Sequence, residues 1–339
     1  MVLTHANLIA GVLAVVIPFP IISAGSMGLG LLPFFHVAGM VCVLHSSLYA
    51  GATLVLLRRF DPALLLQMIQ DYRIEGVSLV PPILIALTKF LRVEALDLSS
   101  LKLINSGAAP LGAKTQRACE ERFGVPVTQA YGMTETAGLT HGKMEPRGDI
   151  KHGSVGPCGP NTLCKVVDPA SGVELGPNEQ GELWMRGPQI MKGYLNNPEA
   201  TAQAIDVEGW YHTGDIGYAD RDGYFYISDR VKEMIKYKGY QVAPAELEAI
   251  LITHPAIAEA AVLASPDEQA GEVPMAFVVA RTPLSAQEVI EFVAARVAPY
   301  KKVRRVEFID ELPKSPAGKL LRRVLREREL QRMSADQPS

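Results

Sequence analysis

The chain has 339 residues, a length at which two domains are the usual arrangement. Charged residues make up 20%, apolar residues 48%, and the net charge is −3. This balance is typical of a globular protein and excludes a basic nucleic-acid-binding surface. The cysteines show neither CxxC spacing nor a nearby histidine in zinc-finger order, so we expect no disulfide framework, no zinc site and a reducing cytoplasm. They are Cys42, Cys119, Cys158 and Cys164.

The N-terminal region is strongly apolar, and its first Asp, Glu, Lys or Arg is Arg58. Residues 8–35 superficially resemble a membrane span, but prolines and glycines interrupt them, so no apolar helix of about 20 residues survives. No basic flank typical of a signal peptide precedes them. We expect two buried elements here and no membrane span. The C-terminal residues 335–339 match neither a peroxisomal signal nor a prenylation box.

Helical and β-type patterns alternate from residue 4 to about residue 130, which predicts a parallel sheet covered by helices. The clearest predicted elements are the helix Pro62–Tyr72, the strand Gly76–Val80, the helix Pro82–Leu91, the strand Leu101–Asn105 and the helix Leu111–Phe123.

The helical period disappears between residues 150 and 229, which predicts a β-rich part. Its predicted strands are Leu163–Asp168, Gly181–Arg186 and Tyr224–Ser228, with a hairpin turn at Asp220–Gly223. A compact α+β unit follows. Its predicted elements are the helix Pro244–Thr253, strands Ile257–Ala264 and Val273–Ala280, and helices Ser285–Val297 and Gly318–Leu330.

Two motifs follow predicted strands and suit a nucleotide. Ser106-Gly107-Ala108-Ala109-Pro110 has so little side-chain bulk that a flat ring could approach its main chain, although a simple tight turn is the alternative. Gln129-Ala130-Tyr131-Gly132-Met133-Thr134-Glu135 combines an aromatic face, a hydroxyl and a carboxylate. The hydroxyl of Thr134 can bind a phosphate oxygen, and the carboxylate of Glu135 is a ligand that Mg²⁺ prefers.

Two single residues have competing interpretations. His36 follows Pro33-Phe34-Phe35 and could border a ligand pocket, but a lone histidine there is more often a core residue. Asp215 ends the run Trp210-Tyr211-His212-Thr213-Gly214-Asp215 and could accept hydrogen bonds from both hydroxyls of a ribose. A capped turn is the alternative.

Two basic segments follow. In 229–241, Arg230, Lys232, Lys236 and Lys238 could clamp phosphates at a domain boundary or form a solvated linker. In 313–319, Lys319 lies beyond a glycine turn and could stabilise charge on a carboxylate or phosphate. The arginines that follow are predicted to form a solvated helix face with ion pairs four residues apart, such as Arg323 with Glu327. They are Arg322, Arg323, Arg326 and Arg328.

Together, in this order, the motifs resemble the adenylate-forming superfamily of acyl-CoA synthetases, with the segment DRVKEMIKYKGYQVAPAELE closest to 4-coumarate-CoA ligases. The resemblance implies an α/β fold: an incomplete large α/β domain with a β-rich subdomain, plus a small α+β C-terminal lid domain that rotates between half-reactions. The implied bounds are 1–229 for the large domain (1–149 α/β, 150–229 β-rich), 230–232 for the hinge and 233–339 for the lid.

The resemblance also implies residue roles. Catalysis would involve Lys319, Thr134 and Glu135, with Glu135 on magnesium. ATP or AMP would contact Ala108, Gln129, Tyr131, Thr134, Asp215, Arg230, Lys236 and Gln241. The acyl group would lie near His36, Val37, Ala38, Ala130 and Leu139, and CoA would meet Lys238 and Gly239. Lys232 would be the hinge residue.

Two positions depart from the family pattern. Ala130 stands where the family usually has glycine, and its methyl group would narrow the acyl pocket. The family's Thr/Ser/Gly-rich phosphate loop comes just before a segment like Val2–Leu8, where this sequence has Met1. We therefore expect an N-terminally truncated chain, and no other glycine-rich run substitutes for the loop, since Gly25–Gly30 contains no lysine.

The predicted activity is a cytoplasmic acid-thiol ligase that uses a small carboxylic acid, ATP, CoA and Mg²⁺ to form acyl-CoA through acyl-AMP. Adenylation is the weaker half-reaction because the phosphate loop is absent. The alternative is an inactive adenylate-binding remnant or a truncated gene product. No nucleic acid is expected as a partner, and exposed apolar surface of the N-terminal region predicts self-association.

Overall fold

The computed structural model of the chain describes residues 1–18, 22–90, 96–143, 150–314 and 320–335. The chain divides into two compact units. Unit 1 contains residues 1–213 and 217–227, and unit 2 contains residues 214–216 and 228–339. Lys319, Leu91 and the predicted helix start at Gly318 lie outside the described residues.

Unit 1 is built on a six-stranded sheet. In spatial order its strands are β2 (Thr53–Leu56), β1 (Met27–Gly30), β3 (Gly76–Leu79), β4 (Leu103–Ser106), β5 (Val127–Met133) and β6 (Gly138–Gly142). The strands from β2 to β5 pair in parallel, and β6 runs antiparallel to β5. The parallel α/β block expected from the alternating pattern is therefore present.

Helices α1 to α5 belong to the same block, and a helical segment with wide π-type turns covers Ala38–His45. The five α-helices are α1 (His5–Val16), α2 (Ser46–Ala50), α3 (Pro62–Asp71), α4 (Pro81–Thr88) and α5 (Ala113–Phe123). The two elements expected in the apolar N-terminal region correspond to α1 and β1.

The helix starts follow from local sequence. The side chain of Asp61 accepts a hydrogen bond from the Leu64 amide, and Pro62 occupies the first turn of α3. Leu111 was expected to begin the next helix, but α5 starts at Ala113 because Gly112 is extended. The leucine instead packs into the core of the block.

Residues 163–230 are β-rich and belong mostly to unit 1, with 214–216 and 228–230 in unit 2. Their sheet has the order β10-β9-β8-β7, and a short helix, α6 (Pro198–Ala204), precedes β9. The strands are β7 (Leu163–Val167), β8 (Gly181–Arg186), β9 (Tyr211–Ala219) and β10 (Phe225–Arg230). The predicted hairpin turn at Asp220–Gly223 does connect β9 with β10, and β10 extends two residues beyond its predicted end at Ser228.

Unit 2 contains a sheet with the order β12-β11-β14-β13, and β15 pairs in parallel with β14. Its strands are β11 (Ile235–Tyr237), β12 (Tyr240–Val242), β13 (Ile257–Asp267), β14 (Gly271–Ala280) and β15 (Arg305–Phe308). Its helices are α7 (Pro244–Leu251), α8 (Ala286–Ala294) and α9 (Arg322–Ala335). The predicted α+β class of this unit is confirmed.

Within the described part of the chain, no helix has the combined length and hydropathy needed to cross a bilayer. The apolar residues 8–35 include most of helix α1 and all of strand β1, so they do not form one continuous helix.

A half-buried arginine connects three segments of unit 2. Arg322 contacts the carboxylate of Glu233, and its Nη1 lies 2.7 Å from Oε1 of Glu248. It also donates to the carbonyl of Val262 in β13. The prediction that Arg322 belongs to a solvated face is wrong, because only 18% of its side chain is exposed. The predicted pair of Arg323 with Glu327 is present and exposed.

Arg322→Ala should lower the free energy of unfolding of unit 2 by about 2 to 4 kcal/mol, because the carboxylates of Glu233 and Glu248 lose a half-buried countercharge. Arg323→Ala should change it by less than about 0.5 kcal/mol, since that pair is solvated. Urea denaturation followed by circular dichroism measures both variants. Equal destabilisation by the two substitutions would contradict the role given to Arg322.

Candidate functional site

The loop after β4 lies against the end of β5. Ser106 and Gln129 are register partners in the parallel pair. A Cβ atom added to Gly107 would lie 3.7 Å from the carbonyl oxygen of Ala130. Ala108 is exposed and takes a left-handed conformation with φ of 69°. The two motifs predicted to suit a nucleotide are therefore neighbours at the carboxyl edge of the parallel sheet.

The side-chain amide of Gln129 is buried and bonded within the protein. Its Oε1 accepts from the amide of Leu111 at 2.9 Å, and its Nε2 donates to the carbonyl of Leu111 at 2.9 Å and to Oε1 of Gln116 at 3.0 Å. The amide therefore fastens the loop after β4 to β5. Its direct contact with adenylate stays a prediction.

Beyond β5, the chain forms a tight turn, Thr134–Thr136, that carries the predicted hydroxyl and carboxylate. The hydroxyl of Thr136 donates to the carbonyl of Gly138 at 2.8 Å and accepts from the amide of Met133 at 3.1 Å. Thr134 and Glu135 are half-buried. The buried hydroxyl of Thr136 therefore holds the turn that contains Thr134 and Glu135.

Glu135 is held from the β-rich part of unit 1. The hydroxyl of Tyr194 donates to its Oε1 at 3.2 Å, and the amide of Met191 donates to its main-chain carbonyl at 2.7 Å. Burial, and then the nearby carboxylate, raise the pKa of Tyr194, so its hydroxyl stays a donor at neutral pH. No sequence pattern predicted this contact, because it joins residues 59 positions apart in the chain.

The donor set at Glu135 fits a magnesium ion. Mg²⁺ is usually bound by one or two carboxylates together with substrate phosphates and water, rather than by a cage of protein ligands. Among the described residues, the cluster of three side chains close enough to bind one metal ion does not include Glu135; it consists of His141, Cys158 and Cys164. Glu135 is thus a single anchored carboxylate at the edge where phosphates are expected.

The five predicted acyl-pocket residues lie in three environments. Ala130 and Leu139 share an apolar cluster with Val15 and Leu103, whereas Val37 is buried in another cluster with Val12 and Val41. His36 is exposed, and its Nδ1 accepts from the amide of Ala38 at 3.3 Å. The alternative of a buried core histidine is therefore wrong for His36.

Asp215 is buried inside β9 and pairs with Arg230. Its Oδ1 accepts from Nε of Arg230 at 3.0 Å, and 6% of its side chain is exposed against 52% for the arginine. Asp215 lies within β9 rather than in a turn. The two residues predicted to bind the ribose are thus in direct contact.

The predicted phosphate and CoA residues share one hairpin. Lys236 in β11 and Gln241 in β12 are exposed register partners, so their side chains leave the same face. Lys238 and Gly239 form the two-residue turn with φ of 48° and 84°, the pattern of a type I′ turn. A lysine with positive φ is uncommon, which marks this turn as strained.

Asp229 is the first residue of the basic segment 229–241. Its Oδ2 accepts from the amide of Ala245 at 2.8 Å in the first turn of α7, and its Oδ1 accepts from the amide of Arg230. Burial raises its pKa. The exposed Lys232 follows at the predicted hinge, so Asp229 attaches the start of that hinge to unit 2.

A cluster that the spacing of cysteines did not predict lies behind Tyr131. The ligand atoms of His141, Cys158 and Cys164 lie within 4.8 Å of one another. The spacing of the cysteines in the sequence gave no reason to expect this grouping, because β6, a bridge from His141 to Cys158 and the start of β7 bring the residues together only in the fold.

Comparison with known families gives two matches. Residues 1–195 match the family described as AMP-binding enzyme, and residues 246–319 match the family described as AMP-binding enzyme C-terminal domain. The first match covers more than half of the chain, and the second lies within unit 2.

Curated plant proteins are similar over most of the chain. A 4-coumarate--CoA ligase-like 6 of Oryza sativa subsp. japonica is 50% identical over 298 residues, which are 87% of this chain and 50% of that protein. A 4-coumarate--CoA ligase of Pinus taeda is 48% identical over 301 residues, which are 88% of this chain and 56% of that protein. The chain thus spans about half the length of these relatives.

Two solved structures share the fold. The ATP-bound MatB from Rhodopseudomonas palustris superposes with a TM-score of 0.89 at 31% identity, covering 96% of this chain and 64% of that one. The o-succinylbenzoate coenzyme A synthetase (MenE) from Bacillus subtilis, in complex with ATP and magnesium ion, gives 0.86 at 32% identity, covering 96% and 66%. With the family matches and the plant relatives, these likenesses identify the chain as a member of the AMP-binding enzyme family.

Proposed function

We propose that the chain ligates a carboxylic acid to CoA through an acyl-adenylate. The observation that carries the proposal is the register of β4 with β5, which supports one nucleotide site built from Gly107-Ala108 and Tyr131–Glu135. The plant relatives bear the name 4-coumarate--CoA ligase or a related name, which favours CoA over other acceptors.

In the first half-reaction, the carboxylate of the substrate attacks the α-phosphate of ATP, and pyrophosphate leaves. The exposed main chain at Ala108 and the ring of Tyr131 present flat surfaces to adenine. Thr134 donates its hydroxyl to a phosphate oxygen, and Glu135 holds Mg²⁺, which supplies charge neutralisation on the phosphates when bound. Asp215 accepts from the ribose hydroxyls, and Arg230 fixes its orientation.

In the second half-reaction, the CoA thiolate attacks the acyl carbon, a thioester bond forms and AMP leaves. Lys236 and Gln241 offer a cation and an amide from one face of their hairpin to the adenylate phosphate. Lys238 and Gly239 present an exposed turn to CoA. The chain positions charges and reacting groups, and these effects supply most of the rate enhancement.

The acyl substrate is proposed to be largely apolar. Ala130 and Leu139 belong to an apolar cluster. The methyl group of Ala130, at a position where the family usually has glycine, would narrow the acyl pocket. Hydroxycinnamates, benzoates and medium-chain acids meet this requirement. A cytoplasmic location is also proposed, since the four cysteines are free thiols. Self-association is proposed through exposed apolar side chains, which include Ile9, Ile17, Leu48, Tyr49 and Leu56.

The 339-residue polypeptide should form thioester from supplied acyl-AMP and CoA at least about 100-fold faster than it exchanges pyrophosphate with ATP. The sequence contains no Thr/Ser/Gly-rich phosphate loop, whereas thioester formation uses no outer phosphates. Thioester release and radiolabelled pyrophosphate exchange measure the two rates. Equal rates would contradict this division, and adenylate binding without any thioester would favour the inactive remnant.

Asp215→Asn should weaken AMP binding about tenfold or more, because a buried carboxylate that accepts from two hydroxyls is replaced by an amide. Wild type should also bind AMP better than its 2′,3′-dideoxy analogue, and the variant should lose this preference. Isothermal titration calorimetry measures both. Asp206→Asn is the control, since Asp206 contacts His212 near the start of β9. A variant that keeps the wild-type preference would refute the ribose role.

A further inference from the structure

We propose that His141, Cys158 and Cys164 form a zinc-binding site behind the strand that carries Tyr131. The proposed zinc site is independent of the proposed function, because it uses none of the residues assigned to the nucleotide, the acid or CoA. Two thiols and an imidazole are the ligand types that Zn²⁺ prefers.

The spacing of the donor atoms fits tetrahedral zinc. Nε2 of His141 lies 3.4 Å from Sγ of Cys158, and all three ligand atoms lie within 4.8 Å of one another. With Zn–S near 2.3 Å and Zn–N near 2.0 Å, tetrahedral angles separate sulfur from nitrogen by about 3.6 Å. An ion therefore fits between the three side chains after small rotations of the thiols.

Hydrogen bonding leaves the correct imidazole nitrogen available. The hydroxyl of Thr140 donates its proton to the carbonyl of Tyr131 at 3.1 Å. The same hydroxyl lies 3.1 Å from Nδ1 of His141, and with its own proton used in that bond it can accept a hydrogen bond from a protonated Nδ1. Nε2 then carries the lone pair and faces Cys158. A hydrogen-bonded second nitrogen is the usual support of a zinc-bound histidine.

The surroundings hold the cluster in place. The His141 ring is fully buried, with its centroid 4.5 Å from that of Phe225 and 5.7 Å from that of Tyr131. His141 and Cys158 form an antiparallel bridge, and Cys164 follows in β7. The three residues come from β6, from the loop that contains Cys158 and from β7. A bound ion would therefore cross-link the β5–β6 hairpin to the β-rich part of unit 1.

Zinc titration of the reduced full-length chain, in competition with a chromophoric chelator, tests the site. Wild type should bind one Zn²⁺ per chain, and Cys158→Ser and Cys164→Ser should each weaken binding at least about 100-fold. Cys42→Ser and Cys119→Ser are matched controls and should bind as wild type. Burial raises the pKa of both control thiols to about 11, so they remain protonated at neutral pH.

Two further readouts separate a metal site from its alternatives. Thr140→Val should weaken zinc binding about tenfold, because it removes the support of Nδ1. X-ray absorption of the zinc complex should show two sulfur ligands and at least one nitrogen. The proposal is overturned if the control variants lose as much affinity as the cluster variants. It is also overturned if the reduced chain binds no zinc while mild oxidation joins Cys158 to Cys164.

Discussion

The buried amide of Gln129 is the contact on which the candidate site depends. It bonds with both the main-chain amide and the main-chain carbonyl of Leu111, and it donates to Oε1 of Gln116. The side-chain amide of Gln116 in turn donates to the carbonyl of Val127. Each of these groups would cost roughly 1 to 3 kcal/mol if left buried without a partner. Because these bonds are made, the loop after β4 is held against β5, and the residues predicted to bind the nucleotide share one edge of the sheet.

A second set of buried charges organises unit 2. Asp229 binds the start of α7, and Arg322 lies between the carboxylates of Glu233 and Glu248. Both attachments flank the segment 230–232, which the resemblance assigns to the hinge. The segment is thus anchored on either side by groups that are costly to unpair, while Lys232 itself is exposed. Both attachments lie within unit 2, and the role of the segment as a hinge stays a prediction.

Much of this architecture could be predicted from the sequence because local signals set it. Pro62 after Asp61 starts α3, and the alternation of β-type and helical runs gives the parallel block. Thr134 and Glu135 could be proposed as site residues because they follow a strand and parallel strands share a carboxyl edge. The predictions that were wrong concern contacts between residues far apart in the sequence. Arg322 resembled its solvated neighbours in sequence, and only packing against Glu233 and Glu248 buries it.

The cluster of His141, Cys158 and Cys164 escaped prediction for the same reason. Zinc motifs are recognised by short, regular spacings, whereas this cluster depends on the antiparallel bridge of His141 with Cys158 and on the start of β7. Partners of Glu135 and Gln129 were likewise invisible in the sequence. The residue types at the ends of strands predict which chemistry a site could perform. The side chains that hold those residues in place come from other segments of the chain, and the sequence does not show which ones.

Hydrogen exchange in the presence of a non-hydrolysable acyl-sulfamoyl adenosine tests the central claim most directly. The account predicts that the ligand slows exchange of the amides in 107–111 and 129–136, with little change in β13 and β14 of unit 2. Protection confined to other segments, or none at saturating ligand, would contradict the assignment of the adenylate site to the edge formed by β4 and β5.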